Sequence, residues 1–189
     1  MKKLSILLSG AALLFSIATF GQSPEKYISS KSHIKFFSTT PVEDIEANNY
    51  ASISTINPKT GDVVFSVPMQ SFEFEKAMMQ KHFNNEHFLE TSIYPKSKLK
   101  GKITNIDEID FSKDGEYKAN FEGEITIKDK TSSLKETGTI TVTGNMLDIE
   151  STFNLTLADF GISFDEGEMV STKIGKTVAV TVRSEYKSE

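Results

Sequence analysis

The chain has 189 residues, no cysteine and a formal net charge of −5, with 25% charged and 38% hydrophobic residues. Without cysteine there is no disulfide, no thiol nucleophile and no thiolate metal site, so apolar burial alone must hold the fold. An acidic balance with no basic cluster argues against nucleic acid and against anionic membrane surfaces as partners.

Residues 1–21 read as a signal peptide. Lys2 and Lys3 form a charged start, and Leu4 to Ala18 is an apolar run too short to span a bilayer comfortably. Thr19-Phe20-Gly21 brings small residues to a cut before Gln22. No cysteine follows the run, which excludes a lipoprotein anchor and leaves a retained membrane anchor as the alternative. The expectation is an exported protein, periplasmic or extracellular, whose residues 22–189 form one domain with a sizeable core. Cleavage removes Lys2 and Lys3 and so makes the acidic balance stronger.

Strand patterns follow over Tyr27 to Ser38, Asn49 to Asn57, Val63 to Gln70 and Lys96 to Ile106. The clearest runs from Glu116 to Lys128, where Tyr117, Ala119, Phe121, Gly123, Ile125 and Ile127 alternate with polar residues. Period-two alternation of this length means one dry face and one wet face. Leu134 to Thr143, Leu147 to Leu157 and the Val178-Val180-Val182 series complete about eight strands. Asn57-Pro58-Lys59-Thr60-Gly61, Asp114-Gly115 and Gly144-Asn145 supply turn chemistry. Such spacing predicts an antiparallel barrel or a two-sheet sandwich. Gly101, Ala119, Gly123 and Ser151 fall at inward phase, small residues that a barrel enclosing a ligand tolerates.

One stretch breaks the alternation. FEFEKAMMQKHFNNEHF, Phe72 to Phe88, turns helical from Glu75, with Phe74, Met78 and His82 four apart and Met79 four before Phe83. Asn84-Asn85 suits a cap before a second short turn carrying His87, Phe88 and Leu89, and Pro95 closes an amphipathic insertion of about twenty residues. Its role has three readings: a plug of the core, the wall of an apolar site, or a metal site on the histidines. Methionine is flexible and polarizable, which suits a surface that adapts to a partner of imprecise shape.

The chemistry-bearing candidates are sparse. His82 and His87 are five apart, outside the three-or-four spacing of a helical metal pair, and His33 lies in the first strand. A metal- or pH-dependent enzyme using His33, His82 and His87 stays open as an alternative. Asp110-x-Ser112-x-Asp114-Gly115 begins like a calcium loop, but its twelfth position is Phe121, so a turn explains it better. Asp165-Glu166-Gly167-Glu168 reads as a solvated acidic loop, and Asn154-Leu155-Thr156 as a glycosylation motif trapped in a strand. No Gly-x-Ser-x-Gly elbow and no glycine-rich phosphate loop occurs.

The order of landmarks resembles the YceI-like family. Ser32-His33-Ile34-Lys35-Phe36 is similar to its opening strand, and His87-Phe88-Leu89 followed by Tyr94-Pro95-Lys96 to its mid-chain helix and next strand. Gly123-Glu124-Ile125-Thr126-Ile127 and Asp159-Phe160-Gly161-Ile162 are similar to two later family elements. The chain departs from the family at Asn84-Asn85-Glu86, where Arg-Asp is usual, and at Asp129-Lys130-Thr131, where Gly-Val-Thr is usual. The resemblance implies a lipocalin-like antiparallel β-barrel whose apolar interior holds a polyisoprenoid chain, as in an isoprenoid quinone, or another hydrophobic small molecule. It implies no catalysis and no cofactor. The ligand-facing residues expected are Phe36, Phe65, Met69, Met78, Met79, Phe83, Phe88, Phe121 and Phe153, with Phe36, Phe121 and Phe153 as barrel wall and the helical group as a cap. A solid-core structural or stress-related barrel is the remaining alternative.

Overall fold

The computed structural model describes residues 24–39, 43–162 and 175–189. In chain order they form β1 (Tyr27–Thr39), β2 (Asp44–Asn49), β3 (Ile53–Ile56), β4 (Asp62–Pro68), β5 (Phe72–Phe74) and α1 (Ala77–Asn84). β6 (Lys96–Ile103), β7 (Gly115–Ile127), β8 (Lys130–Thr143), β9 (Met146–Thr156) and β10 (Thr177–Ser188) follow. Every pairing is antiparallel, and the ring β1-β3-β4-β6-β7-β8-β9-β10 closes when β10 pairs with β1. The result is an eight-stranded up-and-down barrel, with β2 and β5 continuing the sheet beyond the ring at one end.

The predicted single strand Asn49 to Asn57 is two strands. Asn49 is fully buried and occupies the break: its Nδ2 donates to the Pro68 carbonyl at 2.8 Å, and its Oδ1 accepts from the Ala51 amide and the Ser52 hydroxyl. A buried amide satisfied on both ends stitches a bend that strand propensity alone does not announce. Strand β4 likewise stops at Pro68, which has no N–H to give, and Met69–Ser71 turn as one 3₁₀ winding instead of extending the strand to Gln70. The Asn49–Pro68 hydrogen bond joins the two breaks, and β2 and β5 pair with each other from there.

The two ends of the barrel differ. At the end of the Asn57–Gly61 turn, Tyr27, Ile56, Val142, Leu147 and Tyr186 are each at most 1% exposed and pack solidly. The Tyr186 hydroxyl accepts from Ser54 at 2.6 Å, and Ser32 and Ser184 share a hydrogen bond of 2.8 Å, so the buried polar atoms are paired. Phe111 adds its ring to Tyr27 with centroids 5.8 Å apart. A bulge at Ser30 between the registers of Ser29 and Lys31 lets Tyr27 point into this plug while Ser32, Ile34 and Phe36 also point inward further along β1. The opposite end is hollow.

Candidate ligand-binding cavity

The inward residues of the open half enclose a cavity of about 1180 Å³. Val63, Ile103 and Ile140 form its floor above the solid plug, and Leu99, Ile125 and Val180 are part of its wall. Small-molecule sites commonly measure about 300–1,000 Å³, so this space suits a ligand larger than most. Its polar wall groups are largely spoken for. Ser97 and Ser151 donate to the Thr126 and Thr137 carbonyls, each at 2.8 Å, and the Ser38 hydroxyl accepts from the Gly175 amide at 2.9 Å.

All nine residues expected to face a ligand line this space. Phe36, Phe65, Phe121 and Phe153 project from β1, β4, β7 and β9, and Met69 from the 3₁₀ turn after β4. Met78, Met79 and Phe83 come from α1, and Phe88 from the turns that follow it. The helix covers eight residues, shorter than the predicted insertion, and the remainder up to Pro95 is a series of turns. So short a helix lacks stability of its own. Gln80 ties it to the Phe72 carbonyl at 2.7 Å, and Lys76, just before it, pairs with Glu43.

Phe83 decides between the plug and wall readings of the Phe72 to Phe88 stretch. Its ring stacks on Phe36 at 5.6 Å and meets Phe72, Phe74 and Phe88 at 5.4, 5.1 and 6.0 Å. It is 6% exposed, whereas Met78 is 61% exposed on the rim. The helix is therefore both things: one face is packed core that anchors it, and the other borders the mouth. Phe36 belongs to the anchor as much as to the wall, since it also touches Phe72 and Phe74.

The small inward residues do not all leave room. Gly101 and Gly123 are register partners, and a Cβ on either would lie within about 2.7 Å of the Phe121 ring, which covers them both. That pair is occupied by an aromatic lid over glycine, a device that joins two strands closely. Ala119, Gly138 and Ser151 do widen the cavity, sitting in register across β7, β8 and β9.

The three histidines do not meet. His33 points outward, where its Nε2 lies 2.8 Å from Asn48 Oδ1 and its ring stacks on Tyr50 at 4.7 Å. His82 and His87 sit exposed at the mouth. Among the described residues no group of three His, Cys, Asp or Glu side chains is arranged to hold a metal ion. The histidine alternative thus loses its geometry, because strand phase turns His33 to the outer face. The Asp110 carboxylate accepts from the Ser112 amide and hydroxyl, which hold its pKa below the usual range, and Asp114 caps the Gly144 amide at 2.7 Å. These are turn contacts. The acidic stretch Asp165 to Glu168 and the leader lie outside the described residues.

Two features escaped the sequence reading. Lys128, at the tip of the β7–β8 hairpin, donates to the Phe88 carbonyl at 3.2 Å, pairs with Glu90 at 3.5 Å and lies over the Tyr94 ring. It clasps the segment after α1 to the barrel, and only long-range contact could reveal that. Glu136 is an inward carboxylate on the cavity wall, and the alternation Leu134-x-Glu136-x-Gly138-x-Ile140 did carry the signal.

A closed up-and-down barrel with one plugged end and an apolar cavity under a helical cap is the lipocalin-like class of β-barrel. No helix among the described residues is long and apolar enough to cross a membrane. The chain belongs to the YceI-like family: the model of the YceI-like domain matches residues 27–186, nearly the whole described barrel. Among solved structures, it is similar to a polyisoprenoid binding domain from Saccharophagus degradans, with a TM-score of 0.73 and 10% identity over 88% of this chain and 100% of that one. BcnA of Burkholderia cenocepacia matches with a TM-score of 0.66 and 16% identity, covering 82% of this chain and 95% of that one. The YCEI protein of Campylobacter jejuni gives a TM-score of 0.56 and 12% identity over 100% of this chain and 99% of that one. At such identities the likeness is one of fold. No curated protein matches the sequence.

Proposed function

We propose that this protein is an exported, non-catalytic binding protein that holds a long-chain isoprenoid or other lipid in its barrel. The observation that carries the reading is the cavity of about 1180 Å³, walled by aliphatic and aromatic side chains and capped by a helix with a methionine rim. Each methylene transferred from water into such a space contributes about 0.8 kcal/mol, so a long chain binds tightly without a strong polar anchor. The polyisoprenoid binding of the Saccharophagus degradans domain, as its name states it, favours the same ligand class here. The proposal assigns contact with the chain to the nine Phe and Met residues above. Its export rests on the apolar run Leu4 to Ala18 and the cut before Gln22.

Organic extraction of protein isolated from its native host, followed by mass spectrometry, is expected to yield a long-chain lipid in near-stoichiometric amount. The mature N-terminus is expected at Gln22. Folded protein that is repeatedly free of lipid and takes up no apolar fluorescent dye would overturn the reading.

A further inference from the structure

Among the described residues, the barrel wall is not paired along its whole length. Strands β8 and β9 pair only from Gly138–Ser151 to Thr143–Met146. Beyond Gly138 the next inward residues, Glu136 on β8 and Phe153 on β9, are not paired with each other, and among the described strands β8 there keeps only β7 while β9 keeps only β10. The last link at the seam is the Ser151 hydroxyl on the Thr137 carbonyl at 2.8 Å. The 3₁₀ turn Leu157–Phe160 packs against β8 beside this opening.

Glu136 stands at that seam. Leu134, Gly138 and Ile140 share its inward phase, and it lines the cavity in a partly buried position opposite Phe121. Among the described residues its carboxylate makes no hydrogen bond or ion pair, whereas the outward carboxylate beside it, Glu122, pairs with Lys135 at 3.1 Å. The serines of the wall already use their hydroxyls on backbone groups. Small neighbours, Gly138 in the same strand and Ala119 and Ser151 across from it, leave the carboxylate open to the cavity. A ligand that covers this group must satisfy it, because a carboxylate removed from water without a donor is costly.

We infer that Glu136 forms a polar subsite within the apolar cavity, at the β8–β9 seam, for a ligand carrying a cationic or hydrogen-bond-donating group such as an amine or a hydroxyl. The same charge disfavours a carboxylate or phosphate at that depth. This inference rests on the cavity being a lipid site and narrows the ligand to chains with a donor head rather than an anionic one.

The test compares dodecylamine, dodecanol and dodecanoic acid as competitors of an apolar fluorescent dye, at neutral pH, on the full mature protein. The alkyl chain is common to all three, so the ratio of their affinities within one variant isolates the head group. Wild type is expected to prefer the amine to the acid by tenfold or more, with the alcohol between. Glu136→Gln is expected to bring the ratio close to one, and Glu136→Lys to invert it. Glu122→Gln, which removes a neighbouring surface charge outside the cavity, is expected to keep the wild-type ratio. If all three chains displace the dye but the ratio is the same in wild type and in both Glu136 variants, the subsite is overturned while the cavity stands. If none of the chains binds, both readings fall.

Discussion

Lys128 and Glu90 form an ion pair of 3.5 Å between the tip of the β7–β8 hairpin and the segment that follows the helical cap. They are also the two non-glycine residues with positive φ among those described, at 55° and 48°. A left-handed backbone costs an ordinary residue roughly 1–2 kcal/mol, so two such positions meeting in one contact is a local expense offset by the clasp they make. The clasp is tight enough to matter, with the two side chains 18% and 29% exposed and Lys128 also bound to the Phe88 carbonyl.

Lys128→Gly separates these two effects. Glycine accepts the backbone without strain, so global stability is expected to hold or rise slightly. The cap loses a charge-assisted hydrogen bond and a partly buried ion pair worth about 1–2 kcal/mol together. Hydrogen exchange is expected to speed up about tenfold across residues 77–94 and not in β7 or β8, since 1.4 kcal/mol is a factor of ten. Equal acceleration everywhere would mean that the clasp does not act on the cap.

Phe83 and Met78, five residues apart on the same short helix, are expected to part company on mutation. Phe83→Ala empties the centre of the phenylalanine cluster and is expected to cost about 3 kcal/mol in denaturant unfolding. Met78→Ala alters an exposed side chain and is expected to change stability by less than about 0.5 kcal/mol, while speeding the release of a bound apolar dye. A large stability loss for Met78→Ala would make the rim part of the core.

Gly101→Ala places a Cβ 2.4 Å from the Glu122 carbonyl oxygen and 2.5 Å from the tip of the Phe121 ring. The ring can move but the backbone oxygen cannot without separating the strands. The variant is expected to lose about 1–3 kcal/mol or more, and adding Phe121→Ala is expected not to rescue it. Rescue by that second change would show that the ring alone demands the glycine.

Tyr186 is expected to govern the alkaline limit of stability. Burial pushes its phenol far above the ordinary range, and burial raises Tyr27 as well. The unfolded phenol ionises near pH 10 while the buried one stays protonated, so the unfolded state releases its proton first. Stability from this source is complete below about pH 10 and declines as the pH rises beyond it. Tyr186→Phe is expected to flatten that decline in urea midpoints measured from pH 8 to pH 11, leaving a residue due to Tyr27. At neutral pH it is expected to cost about 1–2 kcal/mol, since Ser54 loses its acceptor.

Much of the architecture was legible from alternation. Tyr117 to Ile127 and Leu147 to Leu155 carry inward and outward residues in strict turn, and β7 and β9 follow them. Asn57 to Gly61 announced a turn, and the Asn57 side chain does accept from the Lys59 and Thr60 amides while Gly61 takes a positive φ of 74°. The weak elements were less legible. Strand β2 offers only Ile45 and Ala47 as inward apolar residues and leans on β1 and β5 for its existence. The break at Asn49 depends on the Pro68 carbonyl, a contact between distant residues.

What the sequence determined by itself is a set of two-faced strands, the turns between them and a Met- and Phe-rich interruption, because side-chain period and turn chemistry are local. The tertiary structure alone decided that the strands close into a ring, that one end is filled by Tyr27 and Tyr186 while the other stays hollow, that Lys128 reaches Glu90, and that the β8–β9 pairing stops at Gly138, short of Glu136. Those outcomes depend on register and on which residues meet across the barrel. Periodicity shows that a face is dry, but only the closed ring shows whether a side chain, a neighbouring ring or an empty space lies in front of it.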